Sequence, residues 1–422
     1  MNVFIPIMAV TLFFATKTHF GPVQLRPFDA LAALLLVWTV IRFDLVMRTR
    51  ITAGFLILIP FFLVHILSAL SVSSSNGFRE ILQVTLLMGV AVVLVVASSR
   101  LDYRKAGTIL LVGLFVVMAY NVGWHIAHGY WSGWKRLNDP KAAFTFLPML
   151  LALFLLFAPA DKRKFYWVLW GFVGVIVLFS GERKALLSFA MMTVALVGRG
   201  RLLVALPVIA AGLVALSIFA SISNDPYMSR QINTLLEPTA PGPPLAAMAH
   251  GVMPESLSDA ARDFTSQQVV AMWKEHPVFG VGTNSYYELI KTRFAYLPEF
   301  MKVSAHGEFL RVLVENGVVG IFFYGLIWMT ALVRSVGVSR FLRRRGAISA
   351  AQARILPIIL IFPPILYISF EAAGTRSFMT LIISSLAPDF LYWALYGQKR
   401  RAAESGAVAE KRHPAFPVGH SA

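Results

Sequence analysis

The chain has 422 residues, of which 57% are hydrophobic and 14% charged, and its formal net charge is +17. Soluble domains carry about 25% charged residues, so this composition excludes an ordinary soluble globule. Cysteine is absent, which excludes disulfides, thiolate metal sites and a cysteine nucleophile.

Apolar runs recur along nearly the whole length, each long enough to cross a hydrocarbon core of about 30 Å. They predict an all-α polytopic membrane protein, because in lipid a helix satisfies its backbone polar groups within its own segment. The alternation expected of barrel strands is missing. In chain order the predicted spans are 3–17, 28–43, 51–72, 80–98, 106–127, 142–159, 165–180, 184–198, 202–221, 307–333, 355–371 and 377–396. The first run, 1–16, has no preceding basic region and no clear small-residue cleavage site, so it reads as a retained span rather than a cleaved signal peptide. The organisation expected is therefore nine spans in 1–221, one long loop at 222–305, three spans in 306–396 and a basic tail at 397–422.

Charge sets the orientation. The segments 42–50, 99–105, 160–164, 199–201, 334–354 and 397–422 hold 22 of the 38 Lys and Arg residues but only five of the 21 acids, which accounts for the whole excess of +17. Alternate connections are thus basic and face the cytoplasm, with both termini inside. The basic balance reports topology and contact with anionic lipid headgroups rather than nucleic acid. Arg343-Arg344-Arg345, at a span exit, reads as a membrane anchor.

This orientation places the 84-residue loop 222–305 outside the membrane. Its first half is Pro-rich (Pro238, Pro241, Pro243, Pro244, Pro254) and irregular. Residues 256–275 read as an amphipathic helix with Ser and Asp near its start, Pro277 past its end, and Val269, Val270 and Trp273 as its apolar edge. A turn-rich stretch, His276-Pro277-Val278-Phe279-Gly280-Val281-Gly282-Thr283-Asn284, leads back to the membrane. Long loops of this kind carry function or act as lids.

The chemistry-bearing residues cluster beside that loop. In Ser304-Ala305-His306-Gly307-Glu308-Phe309-Leu310 a histidine and a carboxylate meet the start of an apolar helix. At 100° per residue, Gly317 lies about 20° and Gly320 about 40° from the line of His306. Leu310 and Leu313 share that face, so the stripe reads as a place where something large packs beneath an imidazole. His306 is either a helix-cap histidine or a general base, since imidazole titrates near neutral pH. Glu308 either orients it or faces water. Arg311, about 140° round from His306, is not expected to share its role.

Arg183, in Phe179-Ser180-Gly181-Glu182-Arg183-Lys184-Ala185-Leu186-Leu187, falls at the outer end of a hairpin between two spans. Either Glu182 forms a surface pair with Arg183 or Lys184, or Arg183 is a clamp for an oxyanion, since guanidinium binds phosphate through two parallel hydrogen bonds. Ionisable groups at that depth are costly unless paired or functional. Arg262 on the loop helix and Arg376 at the outer end of the last span are further cations on that side. His125 and His128 read as an interfacial pair without the third ligand a metal site needs, and His65 as a partner in a helix–helix hydrogen bond. Gly280-Val281-Gly282 lacks the third glycine and the strand–helix context of a nucleotide fingerprint. No Walker motif and no Asp-x-Asp pair is present.

Three segments together resemble the O-antigen ligase and polymerase superfamily of bacterial inner-membrane proteins. They are Ser-Gly-Glu-Arg183-Lys-Ala-Leu-Leu, Arg262 upstream of His-Pro-Val-Phe-Gly-Val-Gly, and His306-Gly-Glu-Phe-Leu with Glu315, Gly317 and Gly320, in the family's order. Gly307 stands where many relatives have Asn or Ser, and Glu182 where a Ser commonly precedes the arginine. The resemblance implies transfer of a glycan from undecaprenyl diphosphate to an acceptor hydroxyl on the periplasmic face. The acceptor is lipid A–core in a ligase or a growing polysaccharide in a polymerase. It implies His306 as the base, Arg183 and Arg262 as the diphosphate clamp, and no metal or other cofactor. From their positions beside these residues, Glu308 is a further catalytic candidate and Lys184 and Arg376 are further substrate-binding cations.

A transporter or lipid-linked glycan flippase is the alternative of a different class. A major-facilitator chain would carry its long loop after span six, inside the cell, and a Gly…Asp-Arg signature between spans two and three. Here that segment reads Arg42-Phe43-Asp44-Leu45-Val46-Met47-Arg48-Thr49-Arg50. A non-catalytic partner of an export complex would have no need of the His306, Arg183 and Arg262 set.

Overall fold

The computed structural model describes residues 2–11, 18–20, 23–25, 27–47, 49, 51–71, 75–127, 141–179, 183–199, 257–297, 302, 305, 307–370 and 375–397. For some of these, including Arg183, Arg262 and Arg376, the description is of the backbone. The expected span 202–221, the Pro-rich half of the loop and the tail 398–422 lie outside the described residues.

The described chain is helical apart from one short antiparallel hairpin, Thr18–Phe20 (β1) with Val23–Leu25 (β2), which pairs His19 with Gln24. An all-α expectation did not include it. Its strands flank the dipeptide Gly21-Pro22, a turn signal in the sequence between the first two expected spans, 3–17 and 28–43. The helices in order are α1 (Phe4–Thr11), α2 (Pro27–Ile41), α3 (Phe43–Met47), α4 (Ala53–Leu56), α5 (Leu58–Leu70), α6 (Ser75–Ser98), α7 (Tyr103–Ala127), α8 (Lys141–Phe157), α9 (Ala160–Phe179), α10 (Arg183–Val197), α11 (Leu257–Glu275), α12 (Tyr286–Arg293), α13 (Glu308–Arg344), α14 (Ala350–Phe370) and α15 (Thr375–Tyr392). Six helices among the described residues are long and apolar enough to cross a membrane, namely Ala53–Leu70, Ile81–Ser98, Tyr103–Tyr120, Glu308–Arg344, Ala350–Ser369 and Ser377–Gly397. Shorter apolar helices accompany them at Pro27–Ile41, Thr145–Phe157 and Lys184–Val197. The protein is a helical membrane protein.

The basic stretch 334–354, expected as a loop, is mostly helix. α13 runs on to Arg344 and α14 begins at Ala350. Arginine is a good helix former, and its long stem lets the charge reach the headgroups from a helix end. The connection is closed by local signals. Gly346 takes φ +67° just past the helix end, and Ala347 N–H donates to the Leu342 carbonyl at 2.9 Å, a glycine-terminated helix stop. Ser349 and Gln352 then form a reciprocal capping box, with Ser349 N–H to Gln352 Oε1 at 2.8 Å and Gln352 N–H to Ser349 Oγ at 3.2 Å.

The main core draws buried residues from α1, α2, α5 to α10 and α13 to α15, and within it Phe61 and Phe62 of α5 and Phe378 of α15 bring ring centroids to within 6.0 Å of one another. Near the basic end, Arg334 of α13 reaches Asp389 of α15 at 2.6 Å and donates to the Ser385 carbonyl at 3.2 Å. Gly54 is required there: a Cβ on it would lie 2.2 Å from Arg334 Nη1 and 2.4 Å from the Ser385 oxygen.

Candidate functional site

The long helix α13 is broken at Gly317, whose φ of 64° and ψ of −161° are not helical. An unbroken helix would pair Val318 N–H with the Val314 carbonyl and Val319 N–H with the Glu315 carbonyl. The break frees those four groups, and the turn 277–282 takes all of them. Val281 N–H donates to the Val314 carbonyl at 2.8 Å and Gly282 N–H to the Glu315 carbonyl at 3.1 Å. In return Val318 N–H donates to the Pro277 carbonyl at 2.9 Å and Val319 N–H to the Val278 carbonyl at 3.2 Å. Buried backbone groups that lose one partner need another, and here the exchange is complete.

Two glycines make the approach possible. A Cβ on Gly317 would sit 2.3 Å from the Val278 oxygen, and one on Gly280 (φ +72°) 2.4 Å from the Glu315 carbonyl carbon. The stripe expected to take something large packed against it is met at Gly317 by the chain's own turn. The angular reckoning from His306 to Gly317 and Gly320 also fails, because the helix does not run straight through Gly317. Side chains complete the clasp. Asn316 Nδ2 donates to Thr283 Oγ1 at 2.8 Å, the Thr283 hydroxyl donates to the His65 carbonyl at 3.0 Å, and Ser68 Oγ donates to the Glu315 carbonyl at 3.0 Å. His65 itself packs its ring against Phe378, centroids 4.8 Å apart.

Glu308 does not face water: it is 1% exposed. Its Oε1 accepts from Arg311 Nε at 3.1 Å and also from Arg311 Nη2. Arg311 Nη1 lies 3.8 Å from Glu315 Oε2, and the guanidinium stands over the Phe378 ring, 5.4 Å from its centroid. Glu308 Oε2 is buried and has no hydrogen-bond partner among the described residues. Sequence reasoning set Arg311 aside, although Glu308, Arg311 and Glu315 at i, i+3 and i+7 in an apolar helix were a readable signal. Removing one partner of a buried ion pair strands the others, at a cost of about 3–5 kcal/mol. Arg311→Leu is accordingly expected to lower the thermal unfolding midpoint of the detergent-solubilised protein by several degrees, and an unchanged midpoint would show that the cluster carries no such energy.

His306 lies outside the described residues; its neighbours do not. Ala305 is buried in an apolar cluster with Val269, Met272, Tyr286, Ile290 and Val314. Gly307 takes φ +93°, and a Cβ on it would lie 2.5 Å from the Ser369 oxygen at the end of α14. Lys184 is buried, with its ammonium 5.5 Å from the centroid of Tyr367 on the same helix end. Tyr367 and Ser369 are two residues apart, so the end of α14 gathers the Arg183-Lys184 segment and the segment around Gly307. Arg183 is the first residue of α10 and Arg376 the second of α15, whose Phe378 supports Arg311.

Arg262 lies on α11, which packs beside α13 through Val269 and Met272. That helix is present as expected, but its buried side is Ala261, Phe264, Thr265, Val269 and Met272, while Val270 is exposed. The described part of the loop is tied at further points. Tyr286 Oη donates to the Thr265 carbonyl at 3.1 Å, and burial pushes its phenol well above the usual tyrosine range. Arg293 makes two hydrogen bonds to Glu275, at 3.0 and 2.8 Å, which hold that carboxyl below its ordinary value. His125 lies on α7 and His128 outside the described residues.

No curated protein matches the chain. Residues 167–325, from α9 through the clasp to the middle of α13, match the family model described as O-antigen ligase, in agreement with the family that the three sequence segments resemble.

Proposed function

We propose that the chain transfers a glycan from an undecaprenyl diphosphate carrier to an acceptor hydroxyl on the periplasmic face of the bacterial inner membrane, with both termini in the cytoplasm and the 222–305 loop outside. The observation that carries this reading is the meeting at the end of α14. Lys184 stands over Tyr367 and Gly307 abuts Ser369, so a cationic segment and the segment bearing His306, both within the family-matched residues, reach one place at that helix end.

The chemistry needs two services. An acceptor hydroxyl must lose its proton as its oxygen bonds to the anomeric carbon. The diphosphate must leave as the bond between that carbon and its oxygen breaks. His306 takes the proton, and Glu308, with one carboxylate oxygen uncommitted, orients the imidazole. Arg183 and Arg262 bind the departing diphosphate, with Lys184 and Arg376 adding positive charge. Fixed cations aimed at developing charge are the largest single source of rate in such transfers, and two guanidiniums can fill the place of a metal ion. One in-line displacement inverts the anomeric centre.

The acceptor is lipid A–core or a growing polysaccharide. Deleting the gene and examining surface glycans separates them. Loss of long-chain sugar from lipopolysaccharide with intact lipid-linked polymer identifies a ligase, and accumulation of single repeat units identifies a polymerase. An unchanged glycan profile with loss of solute uptake would overturn the reading in favour of transport.

A further inference from the structure

The first ten residues of α13, 308–317, include no exposed side chain, whereas from Val318 onward the helix is bare along one stripe: Val318, Phe322, Leu326, Met329 and Val333 are all exposed and all apolar. In a membrane helix such a stripe faces lipid. It is followed on the same helix by Arg340, with Arg343, Arg344 and Arg345 just beyond. At 1.5 Å per residue Val318 and Arg340 are about 33 Å apart, close to the ~30 Å of a hydrocarbon core. With the arginines at one headgroup layer, Val318 stands at the boundary of the other.

The turn of the long loop docks at that level. The Val278 carbonyl accepts from Val319 N–H and the Pro277 carbonyl from Val318 N–H, so the turn cannot be higher than the boundary residues to which it is bonded. Yet Val278 is 52% and Phe279 67% exposed. Two adjacent apolar side chains left bare beside a lipid-facing stripe continue that stripe. Trp273 donates its indole N–H to the Pro277 carbonyl at 3.2 Å, which adds a ring of the type enriched at the membrane interface. The reciprocal glycines Gly280 and Gly317 hold the backbone too close for the turn to lift without breaking the clasp.

We propose that Val278 and Phe279 insert into the lipid leaflet opposite Arg340, so that the membrane itself is the partner of this face of the loop. The turn then fixes the height of α11, and of Arg262 on it, relative to the headgroups. This rests on the depth of α13 and on the clasp, and it is independent of which reaction the site performs.

The absence of cysteine makes the test direct. An environment-sensitive thiol fluorophore is placed on Phe279→Cys, with Val318→Cys as the lipid-facing reference and Glu288→Cys, exposed on α12, as the aqueous reference. Each variant is reconstituted in vesicles with and without lipids bearing a nitroxide near the headgroup. The label at 279 is expected to be quenched by the lipid nitroxide to within about twofold of the label at 318, and to resist aqueous iodide. Quenching by iodide as at 288, with no response to the lipid nitroxide, would overturn the proposal. So would protection from both quenchers, which would mean that another protein surface covers the turn. Because Phe279 is already exposed, its replacement leaves the fold intact, and the label at 318 reports whether insertion is normal.

Discussion

Replacing His306 with alanine is expected to drop glycan transfer by at least 10²-fold in a deletion strain complemented with the variant, with protein level and membrane insertion unchanged on immunoblot. A positioned acid–base group contributes about 10²–10⁴ in rate, and alanine removes it outright. Arg183→Ala is expected to have an effect of the same order, because the diphosphate must leave with its charge compensated. Arg183→Lys is expected to recover part of the loss, since lysine restores the charge but not the planar two-donor fork. The pH profile adds a second signature. If an imidazole base carries the step, activity falls as pH drops through the histidine range, near 6.5 for an unperturbed group, and His306→Ala removes that limb. Full activity in both alanine variants would end the assignment of the base and the clamp.

The second large effect is structural. Gly317→Ala places a methyl group 2.3 Å from the Val278 oxygen, at a φ of +64°. Either the turn is expelled or the helix straightens. In both cases the Val281 and Gly282 donors and the Pro277 and Val278 acceptors lose their partners. An unsatisfied buried polar group costs about 1–3 kcal/mol, so the clasp should open, with rapid proteolysis between 276 and 284 in the solubilised protein. Gly280→Ala meets the Glu315 carbonyl from the other side and should behave alike. Gly325→Ala, on the same helix with nothing within 4 Å of the added atom, should leave the digestion pattern of the parent. Equal protease resistance in all three variants would mean that the clasp is not what holds the turn.

The helical character of the chain was legible because each apolar run must close its own hydrogen bonds in lipid, whereas six of the described helices, against twelve expected spans, are long and apolar enough to cross a membrane. The loop helix was legible from its polarity and from Pro277. Its buried face was less so, because Val269 and Val270 are alike in sequence and only the neighbouring helix decides between them. The break at Gly317 was hidden for a different reason. Glu315-Asn316-Gly317 sits inside an otherwise continuous apolar pattern, and periodicity does not register a glycine used for close backbone approach. The turn that fills the break was visible as a turn, but its docking depends on backbone pairing between residues 33 to 41 positions apart, which no local propensity encodes. Arg311 was dismissed by helical angle from His306, when its partners were Glu308 and Glu315 on its own helix. The cationic segment at 183–184 and the histidine segment were each readable, and the end of α14 that gathers their neighbours was not.

The central claim is transfer of a glycan from a lipid diphosphate. The most direct measurement is on purified protein reconstituted in vesicles with a glycan-loaded undecaprenyl diphosphate and a candidate acceptor. The account predicts that free undecaprenyl diphosphate appears in step with glycosylated acceptor, one for one, and that neither forms with His306→Ala. Movement of the intact lipid-linked glycan across the bilayer, with no free carrier released, would contradict it.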